Sequence, residues 1–340
     1  MAKPVRVAVV GCGYWGPNLV RNFRSLSDCQ LTDLCDVSTS RLNHLKSLYP
    51  DMATHVSFEN MLSSRELDAI VIATPVHLHH KLAMQSLTAG KHVMIEKPMA
   101  GSVTQCDELA DLARKKKVTL MVGHTFLYSP HVRKIKEIVK SGDIGDILYI
   151  SSRRLNLGLF QKDINVVWDL APHDISIIQY LMEELPEAVN CQGNAHVTKG
   201  VEDISNMTLT FRSGRYATIQ TSWLDPRKVR EMTIVGTKRM IVYDDLQPLH
   251  KIEIYDQRVE KPPHYDSFAE FQYAYHYGDV YIPYVKQDEP LKIECRHFLD
   301  CIHTGDSPIT SAEQATAVVR ILEAASASLQ QKGARVPITG

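Results

Sequence analysis

No apolar run in this chain approaches the ~20 residues that cross a bilayer, so a membrane-spanning helix is not expected. Neither sign of charge dominates. The 38 Lys and Arg stand against 39 Asp and Glu, so the basic surplus that draws a protein to nucleic acid or to an anionic membrane is missing. The seven cysteines are odd in number and contain no CxxC pair, which argues against a disulfide framework and against a structural zinc. HExxH and HxxxH spacings are absent too. His77, His79 and His80 cluster, but no Cys or acid nearby completes a ligand set, so no metal is expected. The chain runs from Met-Ala-Lys-Pro straight into an apolar segment, with no room for a signal peptide. Free thiols and no leader lead us to expect a cytoplasmic protein.

What the chain does have is a glycine loop in a telling context. Residues 5–16, VRVAVVGCGYWG, are a β-branched run that breaks into Gly11-x-Gly13-x-x-Gly16. Such a run fits a buried parallel strand, and the glycines let the chain turn into a helix. Gly11 permits the turn, Gly13 lets the backbone approach a pyrophosphate, and Gly16 lets the helix pack close to the strand. Free N–H groups at the helix start, with the positive end of its dipole, would hold the phosphates. A second apolar run, 31–35, ends at Asp36, which lies 20 residues past Gly16. An acid there suits the adenosine ribose hydroxyls and repels a 2′-phosphate. The expected cofactor is NAD rather than NADP. Tyr14 and Trp15 either touch that cofactor or pack the first helix.

A length of 340 residues suits two domains. Short apolar runs at 5–10, 31–35, 68–73, 92–95 and 118–122 alternate with helical patterns near 16–26, 39–48, 77–89 and 103–116. That alternation predicts a doubly wound parallel sheet, a Rossmann domain, over 1–124. A helix near 130–140 leads to the turn cluster Ser141-Gly-Asp-Ile-Gly145. Period-two runs follow at 147–155, 187–198, 204–212, 215–223, 230–236 and 239–244, with hairpin turns at Ser213-Gly214 and Gly236-Thr237. One helix near 170–183 interrupts them. Residues 256–290 show no period, and helices near 291–303 and 311–330 close the chain. Residues 125–340 therefore read as an α+β domain on a largely antiparallel open sheet. Its uncovered face predicts a homo-dimer or homo-tetramer packed through that sheet.

Two segments carry chemistry. Glu96-Lys97-Pro98 ends the fifth strand on the cofactor side, where desolvation makes an amine a useful proton donor or acceptor. Taken alone, Lys97 is equally a loop lysine before a turn proline. In Trp168-Asp169-Leu-Ala-Pro172-His173-Asp174, a proline is tolerated only in the first turn of a helix, so the helix is expected to start there. Asp169 then stands at the helix start and His173 in its first turn, where the dipole favours the neutral imidazole that a general base needs. The plain alternative is that Asp169 caps the helix and His173 packs in the core. Between strand and helix, 153–165 holds two arginines, a lysine, two asparagines and Phe160, a composition suited to a polyhydroxylated anionic substrate or to a solvated loop.

Taken in order, GxGxxG, the acid after the second strand, Thr74-Pro75 followed by His79, Glu-Lys-Pro and Asp-xxx-His resemble the glucose–fructose oxidoreductase / inositol dehydrogenase / MocA family. The resemblance runs from Val5 to the helix at 311–330 and takes in His297-Phe-Leu-Asp-Cys-Ile-His-Thr-Gly-Asp-Ser-Pro. It implies reversible hydride transfer between a secondary alcohol and a nicotinamide, with Lys97, His173 and Asp169 as catalytic residues. It implies cofactor contacts from Gly11, Gly13, Tyr14, Trp15, Gly16, Asp36, Thr74, Pro75, His77, His79, Glu96 and Lys97. Val76 stands where many members carry Asn, so an amide contact is not expected there. As substrate contacts we expect Lys97, Asp169 and His173 from the resemblance, and Arg154, Asn156 and Asn165 from the composition of 153–165. The segments at 11–19 and 168–174 look most like the branch that oxidises C3 of nucleotide-linked amino sugars, such as UDP-N-acetylglucosamine or its uronic acid. A free inositol or hexose is the second expectation, and an NAD(H)-binding regulator without turnover the third.

Overall fold

A computed structural model describes residues 3–64, 66–161, 164–260 and 274–338. The chain divides into two compact units, Met1–Ser129 with Asp288–Glu323, and Pro130–Gln287 with Ala324–Gly340. A single cut at 124/125 therefore describes the order of the chain but not its units, because a C-terminal segment returns to the first.

The first unit alternates strand and helix: β1 Val5–Val10, α1 Gly16–Arg24, β2 Cys29–Cys35, α2 Thr39–Leu48, β3 Ala53–His55, α3 Phe58–Ser64, β4 Ala69–Ile72, α4 Val76–Thr88, β5 His92–Glu96, α5 Val103–Lys116 and β6 Leu120–Gly123. A 3₁₀ turn, Thr125–Tyr128, follows. The six strands form one sheet in the order β3-β2-β1-β4-β5-β6, every pairing parallel. Strands such as Ala69–Ile72 are apolar at every position because both faces of the sheet are covered.

The second unit holds α6 Pro130–Lys140, β7 Ile147–Leu157, α7 Val166–Met182, β8 Ala188–Asn194, β9 Ile204–Thr210, β10 Tyr216–Ser222, β11 Leu224–Gly236, β12 Met240–Asp244, β13 Ile252–Glu260 and β14 Ala274–Tyr281. Its nine-stranded sheet runs β14-β13-β12-β11-β7-β10-β9-β8-β15, where β15 is Val336–Pro337. The neighbours are antiparallel except β7 with β10. Ser213-Gly214 and Gly236-Thr237 sit at the β9–β10 and β11–β12 turns, as the sequence predicts. β14 and the second half of β13 fall within 256–290, where the sequence shows no period. On β7 the even positions Ile150, Ser152 and Arg154 are buried towards α7, while Tyr149, Ser151 and Arg153 face the other way.

Between these strands and β15 lie α8 Pro290–Thr304 and α9 Ala312–Gln330. Helix α8 belongs to the first unit because Leu291, Cys295, Phe298 and Leu299 form one apolar face at helical spacing. That face joins Leu19, Val20 and Phe23 of α1 in one core cluster, with the Phe23 and Phe298 rings edge-on at 6.3 Å. No described helix is long and apolar enough to cross a membrane.

Candidate active site

All six strands of the first sheet are parallel, so their C-terminal ends share one edge. Val10 pairs with Cys35 and Ile72, Ile72 with Ile95, and Glu96 with Gly123. The glycine loop, Asp36, Thr74-Pro75, Lys97 and His124 therefore leave the sheet on the same side. A crevice at that edge is where open α/β sheets bind nucleotides.

The three glycines differ in the space around them. Gly11 has φ +96°, and a Cβ on it would fall 2.4 Å from the Ala73 carbonyl oxygen; one on Gly16 would fall 2.1 Å from the Gly11 oxygen. A Cβ on Gly13 would meet nothing nearer than Arg41 at 3.8 Å, so the backbone there is open to approach. No side chain caps the N-terminus of α1, but Pro17 has no N–H and the Asn18 N–H goes to the Trp15 carbonyl at 3.0 Å, so an anion would meet the backbone ahead of Pro17. These residues fit the pyrophosphate of a dinucleotide. Asp36, buried at the end of β2, accepts from the Cys12 N–H at 2.7 Å and the Ser38 N–H at 2.8 Å. Arg41 lies 3.7 Å from its carboxylate. Trp15 packs against the core, whereas Tyr14 is 85% exposed, so packing does not account for Tyr14.

Pro75 and His77 are exposed at the start of α4, but His79 is not. It is 1% exposed, and its Nε2 and Nδ1 face the carbonyl oxygens of Thr74 and Pro98 at 2.8 and 2.9 Å. The expected cofactor contact from His79 is corrected by this: both ring nitrogens are taken up by backbone.

Glu96 turns its carboxyl over the α-carbon of Gly123, where a Cβ would come within 3.1 Å of it. Burial raises its pKa well above the carboxylate range, against the pull of the Lys97 charge and the Trp15 indole. The Trp15 N–H still falls short of a formed hydrogen bond. The pKa of Glu294, on α8, is also raised well above the carboxylate range, by burial and then by the Glu96 charge, while Thr125 Oγ1 donates to it at 2.7 Å. His124 is pushed down to about 3 by burial and then by Lys97, and so stays neutral. Sequence reasoning missed Glu294 and His124. For Glu294 a signal existed, since it stands on the apolar face of an amphipathic helix.

In the second unit α7 begins earlier than Pro172 implies. Asn165 is its N-cap, accepting from the Trp168 N–H at 3.2 Å and donating to Glu202 at 2.8 Å. Pro172 is thus the seventh residue of the helix, and His173 lies in the third turn, outside reach of the N-terminal dipole. Asp169 and His173, four apart, still share one helix face. Trp223, 1% exposed at the end of β10, donates from Nε1 to Asp169 Oδ2 at 3.1 Å. Phe160 meets the Trp223 ring edge-on at 5.6 Å. Asn156 lies beside this group, its Nδ2 3.3 Å from where a Gly158 Cβ would sit. Trp223 was not anticipated; a lone tryptophan at a strand end was the available sign.

Two expected substrate contacts have structural work instead. Arg154 is 6% exposed and donates from Nε and Nη2 to Asp174 at 2.6 and 3.2 Å. Asn165 is committed to its cap. Arg153 is paired with Glu231 at 2.7 Å. Lys162 and Asp163, part of the same reading, lie outside the described residues.

A nucleotide cradle with a lysine at the sheet edge, joined in one chain to a unit bearing an acid–histidine helix, defines a nicotinamide-dependent oxidoreductase. Residues 5–124 match the oxidoreductase family with the NAD-binding Rossmann fold, and residues 132–242 match the GFO/IDH/MocA C-terminal domain. The chain belongs to the GFO/IDH/MocA family of oxidoreductases, binds NAD and acts on CH–OH groups. It is 24% identical over 342 residues to the myo-inositol 2-dehydrogenase of Thermotoga maritima, covering 96% of this chain and 97% of that protein. It is 28% identical over 256 residues to the 2,7-anhydro-N-acetylneuraminate hydratase of Escherichia coli, covering 71% and 68%. Among solved structures, the UDP-N-acetylglucosamine 3-dehydrogenase GnnA of Acidithiobacillus ferrooxidans superposes with a TM-score of 0.80 at 23% identity, covering 98% and 99%. GenD2 from gentamicin A biosynthesis, in complex with NAD, gives 0.84 at 20%, covering 100% and 98%. At these identities the structural matches speak for the fold.

Proposed function

We propose that this oxidoreductase oxidises a secondary hydroxyl, at C3, of a nucleotide-linked amino sugar such as UDP-N-acetylglucosamine or its uronic acid. The observation that carries a sugar alcohol as substrate is the α7 face, where Asp169 and His173 stand together and Trp223 fixes the carboxylate. A carboxylate fixed by a tryptophan N–H is an acceptor suited to the hydroxyls of a polyol. The choice of C3 and of a nucleotide sugar rests on the likeness of residues 11–19 and 168–174 to that branch.

When bound, NAD⁺ supplies the hydride acceptor. Lys97 is assigned to hydrogen-bond the alcohol oxygen and to stabilise the charge that develops on it. His173 is assigned to take the hydroxyl proton, with Asp169 orienting the neighbouring hydroxyl or the imidazole. Gly11, Gly13, Gly16 and Asp36 hold the dinucleotide. We place the enzyme in the cytoplasm, as a homo-dimer or homo-tetramer through the second sheet. A free inositol or hexose is the second reading. The engagement of Arg154 with Asp174 and of Arg153 with Glu231 favours it, because it removes two cations from the set expected for an anionic substrate.

The test is NADH formation from NAD⁺ with UDP-N-acetylglucosamine, its uronic acid, myo-inositol and glucose, each with wild type, Lys97→Ala and His173→Ala. The proposal expects signal on the UDP-sugars, and loss of most turnover in both variants while NADH binding persists. Signal on free sugars alone would move the substrate to the second reading. NADH binding with silence on every alcohol would point to a regulator.

A further inference from the structure

His79 presents a hydrogen-bonding problem that its surroundings do not resolve. It is the fourth residue of α4 and 1% exposed, with a carbonyl oxygen within 3 Å of each ring nitrogen. A neutral imidazole carries one N–H, so it donates to one of these carbonyls and turns a lone pair towards the other. Only the imidazolium satisfies both. Burial opposes that form, as does the Lys97 charge; the N-terminal dipole of α4 adds to them. The charged side chain acting on the imidazole is Lys97; its other neighbours are the carbonyls of Thr74 and Pro98 and the backbone of Met99.

The two carbonyls are not equivalent. Thr74 belongs to the turn between β4 and α4, beside the glycine loop, and Pro98 directly follows Lys97. A proton on Nε2 secures the first turn, and a proton on Nδ1 secures the second. We propose that His79 is a positioning residue whose choice of tautomer couples the cofactor turn at Thr74-Pro75 to the placement of Lys97. This rests on the reading of Lys97 as a participant in the reaction. The ring is a two-state element of the kind that transmits binding at one turn to geometry at another, and neither state requires a change of net charge.

The test uses the full-length protein labelled with ¹⁵N in its imidazoles, because the two tautomers give separate Nδ1 and Nε2 shifts. His79 is assigned by the resonances lost in His79→Gln, or in His79→Asn should the Gln protein not fold. Adding NADH is expected to change the tautomer ratio of His79. His79→Gln keeps N–H donors on a single nitrogen and can serve one turn but not exchange between two. It is expected to hold NADH within about threefold of wild type while kcat at saturating NAD⁺ falls at least about tenfold, because the exchange between the two turns, and not binding, is what the substitution removes. An unchanged tautomer ratio with NADH overturns the inference, as does a kcat in His79→Gln within about twofold of wild type. The spectrum needs no sugar. Absence of turnover by wild type would thus fail the functional reading alone, and an unresponsive His79 in an active enzyme would fail the coupling alone.

Discussion

Arg154→Met strips one partner from an ion pair that the second unit has closed off from water. With Arg154 present, Asp174 receives its Nε and Nη2 donors and the Ser152 hydroxyl at 2.7 Å. Without it, the hydroxyl remains to hold a carboxylate that is 3% exposed. Breaking a buried pair by removing one partner costs roughly 3–5 kcal/mol. For a unit of this size each kcal/mol lowers Tm by about 2–4 °C, so melting by circular dichroism should fall by roughly 6–20 °C. Arg154→Met with Asp174→Leu replaces the pair by apolar side chains of similar bulk and should recover most of that loss. Folded Arg154→Met should keep its KM for the sugar. The reasoning is refuted if Arg154→Met melts within about 2 °C of wild type while KM rises, since Arg154 would then meet substrate rather than Asp174.

Other consequences follow from the same geometry. Glu294 keeps its proton in the folded chain to a higher pH than in the unfolded chain. The folded state therefore holds more protons as pH rises through the carboxylate range, and stability falls with rising pH until Glu294 ionises in both states. Glu294→Gln should flatten that fall, losing less Tm than wild type between about pH 5 and 9; equal losses would remove Glu294 from the account. Asp36 is proposed to meet the ribose and has Arg41 alongside, so Asp36→Ser should leave a cation for a 2′-phosphate and narrow the preference for NAD⁺ over NADP⁺ at least about tenfold in kcat/KM. An unchanged ratio would place discrimination elsewhere. Tyr149 and Tyr216 pair across β7 and β10 on the face turned away from α7, both about two-fifths exposed. Tyr149→Arg with Tyr216→Arg should convert an oligomer to a monomer by light scattering; a wild-type monomer would refute the sheet interface.

The first unit was legible because its signals are local. A β-branched run, three glycines at fixed spacing and an acid at the end of the next strand each act within a few residues. The second unit was less so. Pro172 suggested a helix start, yet Asn165 caps the helix seven residues earlier and packing around Val166, Val167 and Ala171 outweighs the lost backbone bond. Arg154 showed no mark of its partner, since Asp174 lies 20 residues away on another element. The return of α8 to the first unit depends on Phe23 meeting Phe298 across most of the chain, a contact that no period within either helix announces. Glu294 was legible in principle, as a carboxyl on an apolar helix face, and Trp223 only as an isolated aromatic.

The most direct measurement follows the hydride itself. UDP-N-acetylglucosamine carrying deuterium at C3 would be incubated with the enzyme and NAD⁺, and the reduced cofactor weighed by mass spectrometry. The account predicts NADH heavier by one deuterium, formed by wild type and not by Lys97→Ala. NADH without deuterium, or no reduced cofactor from this sugar, would contradict oxidation at C3 of a nucleotide-linked amino sugar.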